Sequence, residues 1–288
     1  MNFIKKHSFL FVVIIIIICI YSFHLYKDNR NIKRAQTHNI NNLYKSDDRI
    51  YKNYLDKNEK KMYDLMLDNI LRRKRNIIIR FADFDCSDYK ECGELVKTSN
   101  DAIHVDHPEL MSYAFYMWKY HNGVFKLSFY FGYPFDFMDI IGVARINSIV
   151  NEIVKETENM SDINKIIYVY EWMSKNNKYD KQFTYASDNQ SIYSVFIYKS
   201  AVCAGFAKAS QIILSRMGIE SYVVSGYSTG PHMWNIVKYN DKYYYFDSTV
   251  GISLNDTGHH YGLSQDFLNS YSMDHSEWYP KVETTNMY

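Results

Sequence analysis

The sequence predicts an α+β protein, and three observations lead to that reading. Apolar residues recur at helical spacing in several separate stretches. Aromatic and β-branched runs flank a hairpin signal in the first half of the chain. In the second half, one helical stretch runs directly into successive strand-like runs. The chain has 288 residues, enough for one large or two modest domains with appendages. At 47% hydrophobic it can bury a core, and with 11 Gly and 4 Pro it is neither collagen-like nor a Pro/Gly-rich disordered chain. Four cysteines are too few for a disulfide scaffold.

Residues 1–26 read as a signal anchor. Lys5 and Lys6 precede an apolar run from Phe9 to Ile20, interrupted only by Cys19. No small-residue cleavage pattern follows, and Ile16, Ile17 and Ile18 stand where a lipidated cysteine would need a small neighbour. The run is slightly short for a spanning helix of about 20 residues, which flanking lysines and tyrosines can offset. Lys27, Arg30, Lys33 and Arg34 follow it, so the positive-inside rule alone would hold the body in the cytoplasm. Long domains translocate largely regardless of such charge, and the expectation is a body on the outer face.

Residues 27–50, rich in Asn, Lys and Arg without an apolar period, read as a basic linker. The overall balance of 33 basic and 32 acidic side chains argues against a nucleic-acid partner. It hides an asymmetry: residues 1–75 hold 16 basic and 7 acidic groups, residues 76–288 hold 17 and 25. A basic stalk leading to a mildly acidic body suits a spacer near a membrane surface, or a polyanion patch.

Residues 51–135 read as a small α+β domain. Asp56 and Glu59 open a helix with Met62, Leu65, Met66, Asn69 and Ile70 on one face, closed by Arg72, Arg73, Lys74 and Arg75. A strand is expected over 76–81, and a helix over 91–105, which Pro108 keeps from continuing. A hairpin over 113–133 turns at His121-Asn122-Gly123. Residues 136–288 read as the larger domain. It has helices over 141–158, 163–176 and 204–217, the last stopped by Gly218, then strands over 219–225, 232–239 and 243–248.

Within this domain Cys203, His232 and Asp247 stand out. Cys203 precedes a helix, whose unpaired amides and dipole favour a negative charge and hence the nucleophilic thiolate. His is the proton partner suited to neutral pH. If the chain turns at Asn240-Asp241, Tyr239 pairs with Lys242 and the same register sets Asp247 opposite Trp234. His232 and Trp234 share a face, so Asp247 lies diagonal to His232, at about 7–8 Å between backbones. A slip of one residue would turn Asp247 away. Singly, each residue has a plainer reading: a buried small hydrophobe, a structural His, an Asp capping the next turn.

In their order, Ala201-Val202-Cys203-Ala204-Gly205-Phe206-Ala207, Gly218-Ile219-Glu220, His232-Met233-Trp234-Asn235 and Tyr245-Phe246-Asp247-Ser248-Thr249 resemble the transglutaminase-like superfamily. The likeness spans about residues 145–262. Leu55, Glu59, Tyr63 and Asp106-His107-Pro108-Glu109 look like the upstream region of secreted or anchored bacterial members. Val250, Phe206 and Ala204 depart from the family pattern without removing a catalytic group. The resemblance implies a papain-like core, a helix carrying Cys on an antiparallel sheet. Cys203 would then be the nucleophile, His232 the general base and acid, and Asp247 the group fixing its tautomer. An acyl group from a protein or cell-wall peptide would pass through a thioester to an amine or to water. The oxyanion would rest on the Cys203 amide and one more donor, with Gln190 or Tyr193 as candidates, while Trp234 would either wall an acyl tunnel or pack as a core aromatic.

Cys86 and Cys92 are spaced for a disulfide outside the cell. His104-x-x-His107 and His259-His260 lack a third ligand at metal-site spacing, so neither metal nor cofactor is expected. The competing function classes are a cysteine protease of the same superfamily and a non-catalytic surface module that keeps the fold. Oligomeric state is left open by the sequence.

Overall fold

The structure is a computed structural model describing residues 43–44, 49–110, 113–119, 123–131, 137–181, 189–254, 270–283 and 287. The expected anchor, 1–26, lies outside the described residues; among those described, no helix is long and apolar enough to cross a membrane. The end of the expected linker, where described, departs from a solvated spacer. Leu43, Tyr44 and Ile50 are buried. The Arg49 guanidinium donates to the Ser221 carbonyl at 2.9 Å and lies 4.1 Å over the Tyr222 ring. Scattered apolar side chains need no period to be buried when an existing core offers them a place.

The N-terminal unit opens with α1 (Arg49–Asn53) and α2 (Lys57–Leu71). Asp56 caps α2 in a reciprocal capping box with Glu59, which satisfies amides that the first turn leaves unpaired. The amides of Ile50 and Tyr51 donate to the buried Asp106 carboxylate at 3.2 and 3.0 Å. Asp106 ends α3 (Tyr89–Asp106), which Asp88 caps. Strands β1 (Asn76–Arg80), β2 (Tyr113–Lys119) and β3 (Val124–Phe131) form an antiparallel sheet in the order β1-β3-β2. Cys86 and Cys92, joined by a disulfide with Cα atoms 5.4 Å apart, tie the head of α3 to the turn before it.

The second half begins with α4 (Phe137–Glu156) and α5 (Asp162–Asn176). Strand β4 (Lys178–Tyr179) pairs in parallel with β5 (Ser200–Ala201), and a π-helical turn, Ser194–Tyr198, precedes β5. Next come α6 (Cys203–Arg216), β6 (Ser221–Tyr227), β7 (Pro231–Tyr239), β8 (Lys242–Phe246), α7 (Ser248–Leu254) and the short β9 (Ser272–Met273). Their sheet has the order β8-β7-β6-β9.

This second sheet lies between two apolar clusters. Val237, Tyr244 and Phe246 join α4, α5 and α6 residues such as Val150, Ile166, Val169 and Ile213. Val223, Val224, Trp234 and Ile236 join Met62, Met66, Ile103, Phe125 and Leu127 of the N-terminal unit. Neighbours along β7 thus serve opposite cores, as the pleat requires. The second core therefore draws on both sides of residue 135.

Candidate active site

Cys203 is the first residue of α6 and a free, partly buried thiol. Its position is set by the β4–β5 ladder and by the Val202 amide, which donates to the Asn189 carbonyl at 2.9 Å. Val202 occupies the N-cap in extended backbone (φ −110°, ψ 178°) and offers no capping side chain. The first-turn amides are thereby left available to another acceptor. Gly205 lets this turn approach closely, since a Cβ there would lie 3.0 Å from both Ala201 Cβ and the Asn189 carbonyl.

His232 arrives on β7. Asn235, three residues on and buried, donates to the Ala207 carbonyl at 3.0 Å and so ties this strand to the helix that begins at Cys203. Across the sheet, β7 and β8 pair in the expected register, from Tyr239↔Lys242 to Asn235↔Phe246. The turn residues Asn240 and Asp241 have φ of 50° and 59°, the left-handed pair of a tight two-residue hairpin. One step past the last pair, Asp247 extends its carboxylate to His232, with Oδ2 2.7 Å from Nε2. Its Oδ1 accepts the Thr249 amide at 2.9 Å, so the same side chain also caps the head of α7.

Nε2 is committed to Asp247, and the ring also interacts with the Cys203 thiol, which leaves Nδ1 as the nitrogen free to serve it. Burial opposes a charge on the imidazole. The bond to Asp247, the bond to Cys203 and the negative charge on both outweigh it, and the His232 pKa is pushed up to about 10. At neutral pH the ring is therefore an imidazolium between two acidic partners.

Two further residues reach this chain of groups. Tyr179, on β4, hydrogen-bonds Cys203 at both its backbone and its thiol; burial and the Cys203 charge raise its phenol above the ordinary value. Tyr271, just before β9, donates to Asp247 Oδ2 at 2.7 Å. Burial, then the Asp247 charge and hydrogen bond, push that phenol far upward. No motif marks either tyrosine in the sequence; a two-residue parallel ladder and a two-residue edge strand deliver them. An open cleft of about 370 Å³ lies over the site. Tyr179, His232, Asp247 and Tyr271 line it, with Ser228 and Thr229 from the β6–β7 loop and Thr249 and Ser253 from α7.

Two of the expected substrate contacts require correction. Trp234 is fully buried and walls no open tunnel. It lies beneath His232, its ring stacked at 5.8 Å and 21°, with Tyr271 edge-on at 4.9 Å. The alternation that sets it beside His232 also turns it into the second core. Tyr193 is likewise core, T-shaped against Tyr198 at 5.1 Å, and too deep for a cleft donor. Gln190 is exposed on the turn whose neighbouring carbonyls, Asn189 and Ser191, abut Gly205 of α6. His104, with burial and then Lys208 acting on it, is held down to about 3 and stays neutral. His107 Nδ1 lies 2.9 Å from Glu109. Among the described residues no group of three His, Cys, Asp or Glu could hold a metal ion; His259 and His260 lie outside them.

Residues 147–248, roughly a third of the chain, match the model of the transglutaminase-like superfamily. The matched stretch runs from within α4 to the first residue of α7 and contains Cys203, His232 and Asp247. Among solved structures the chain is similar to a TGase at 15% identity, TM-score 0.34, covering 47% of this chain and 44% of that one. A provisionally named cysteine protease from Cytophaga hutchinsonii gives 14% and 0.35, covering 56% and 65%. The periplasmic domain of TgpA from Pseudomonas aeruginosa gives 14% and 0.33, covering 46% and 56%. The chain thus spans less than two thirds of each. No curated protein matches it.

Proposed function

We propose that this protein is a thiol-dependent acyltransferase or amide hydrolase acting on protein or cell-wall peptide, held at the outer cell surface by residues 1–26. One observation carries the reading: the His232 ring stands between the Cys203 thiol and the Asp247 carboxylate, and His232 and Asp247 line an open cleft. The Cys203 sulfur, as thiolate, attacks an amide carbonyl carbon, forming the C–S bond and an oxyanion. The Cys203 amide at the head of α6 is one donor to that oxyanion, and the Tyr179 hydroxyl, already at this amide, is the second. His232 passes its Nδ1 proton to the departing nitrogen as the C–N bond breaks, which leaves a thioester. Water or an amine then adds to the thioester, returns a proton to His232 and frees the thiolate. Transferase and protease differ only in which nucleophile completes this second half.

Mass spectrometry of the protein after incubation with peptide libraries, with and without a primary amine, tests the reading. An acyl adduct on Cys203, absent in Cys203→Ala and discharged by the amine, is expected. If no peptide leaves an adduct and no hydrolysed or amine-linked product forms, the proposal fails, and a non-catalytic surface module becomes the better account.

A further inference from the structure

Asp247 is 2% exposed, and three donors share its carboxylate. The Thr249 amide takes Oδ1, while His232 Nε2 and the Tyr271 hydroxyl both take Oδ2, each at 2.7 Å. The arrangement is rigid. The Tyr271 ring stands edge-on to Trp234 at 4.9 Å and to His232 at 5.9 Å, and lies 5.7 Å from Tyr245. The residues after it pair with β6, Met273 opposite Gly226 and Ser272 opposite Tyr227, and the Asp274 amide donates to the Ser225 carbonyl at 3.0 Å. Gly226 makes this approach possible, because a Cβ there would collide with the Ser272 carbonyl and lie 2.8 Å from the Trp234 ring. A segment 24 residues downstream of Asp247 is thus fastened where its hydroxyl meets the carboxylate.

Two donors on one carboxylate oxygen compete for the same charge. An imidazolium held by an undivided carboxylate would give up its proton reluctantly, yet the proposed reaction needs that proton at the leaving nitrogen. We propose that Tyr271 is a positioning residue that tunes the His232–Asp247 pair: by sharing Oδ2 it fixes the carboxylate toward the ring and draws off part of its charge, so that His232 remains a usable acid. The consequence for turnover rests on the proposed function; the effect on the ring does not. Facing the imidazole are Cys203 from the head of α6, Asp247 from the end of β8 and Tyr271 from the approach to β9, with Tyr179 beyond the thiol; Trp234 beneath carries no charge. Ser228, on the loop before β7, bonds the Tyr271 hydroxyl in turn, extending the chain by one link. Tyr271 itself stays a protonated donor throughout the working pH range.

The test is the titration of His232 in the full-length protein, followed by NMR of its ring Cε1–H and assigned by loss of the signal in His232→Ala. In Tyr271→Phe, which keeps the ring and removes the hydroxyl, the midpoint is expected to rise by about one pH unit, the scale of one hydrogen bond to a charged group. Ser228→Ala, which leaves the packed ring untouched, shifts it the same way by less and keeps the test open if the Phe variant folds poorly. With a cleavable peptide, kcat of Tyr271→Phe falls while KM holds. A midpoint unchanged or lowered in Tyr271→Phe, or an unmoved Ser228→Ala where the Phe variant does not fold, overturns the inference. A shift in Tyr271→Phe, with a wild type that never forms a thioester, counts against the proposed function alone. A wild type that forms one while Tyr271→Phe titrates like it counts against Tyr271 alone.

Discussion

Replacing Asp247 by Asn keeps the shape of the side chain and removes its charge. His232 is then left with burial, which opposes its protonation, and with Cys203 as its remaining acidic hydrogen-bond partner. In the intact protein the ring is raised from 6.5 to about 10. A displacement of that size corresponds to several kcal/mol, on the order of 5 at most, favouring the charged form in the folded state. The Asp247 hydrogen bond is the largest of the contributions that raise it. Its loss should lower the midpoint by at least about 2 pH units. The folded value lies above the unfolded one, so the stability His232 contributes is complete below about 6.5 and drains away as pH climbs through about 10. Wild type should therefore lose stability between pH 7 and 10 from this group, and in Asp247→Asn that slope should be smaller and largely gone above about pH 8. Histidine NMR gives the midpoint, and urea unfolding at pH 6, 8 and 9.5 gives the slope. If His232 titrates alike in both proteins, the electrostatic account of the pair is wrong.

Three other outcomes are expected. Tyr179→Phe removes the proposed second oxyanion donor and should slow thioester formation on the order of a hundredfold, with the fold intact by circular dichroism; an unchanged acylation rate rejects that role. Gly226→Ala drives a methyl group into the Ser272 carbonyl and the Trp234 ring. It should cost about 1–3 kcal/mol in urea unfolding, and hydrogen exchange should show faster opening at Ser272 and Met273. Cys86→Ser opens the small loop closed onto Cys92 and should lower stability by about 2 kcal/mol, while Cys203 alkylation, read by peptide mapping, stays at its wild-type rate.

The legible parts of the sequence were those governed by local rules. Asp56 and Glu59 mark the start of α2 because a capping box needs those two side chains three residues apart. Asn240-Asp241 marks the β7–β8 turn because few residues tolerate two successive left-handed positions. From that turn the register follows, and with it the meeting of His232 and Asp247. The remainder depends on contacts that no local period encodes. Strands β4, β5 and β9 have two residues each, too short to show alternation, yet they deliver Tyr179 and Tyr271 to the site. Trp234 and Tyr193 read equally well as cleft or core side chains, since an aromatic carries no mark of which side of its element meets solvent. Leu43 and Tyr44 sit in a stretch whose composition reads as linker, and only the finished core shows where they pack.

The central claim is that the fold holds Cys203 as a nucleophile through His232 and Asp247. The most direct test compares the iodoacetamide rate at Cys203 at pH 6.5 in the folded protein and in the same chain unfolded in guanidinium, read by peptide mass spectrometry. A folded rate at least tenfold above the unfolded one is expected. Equal or slower labelling in the folded protein, with the cleft open to the reagent, would contradict the account.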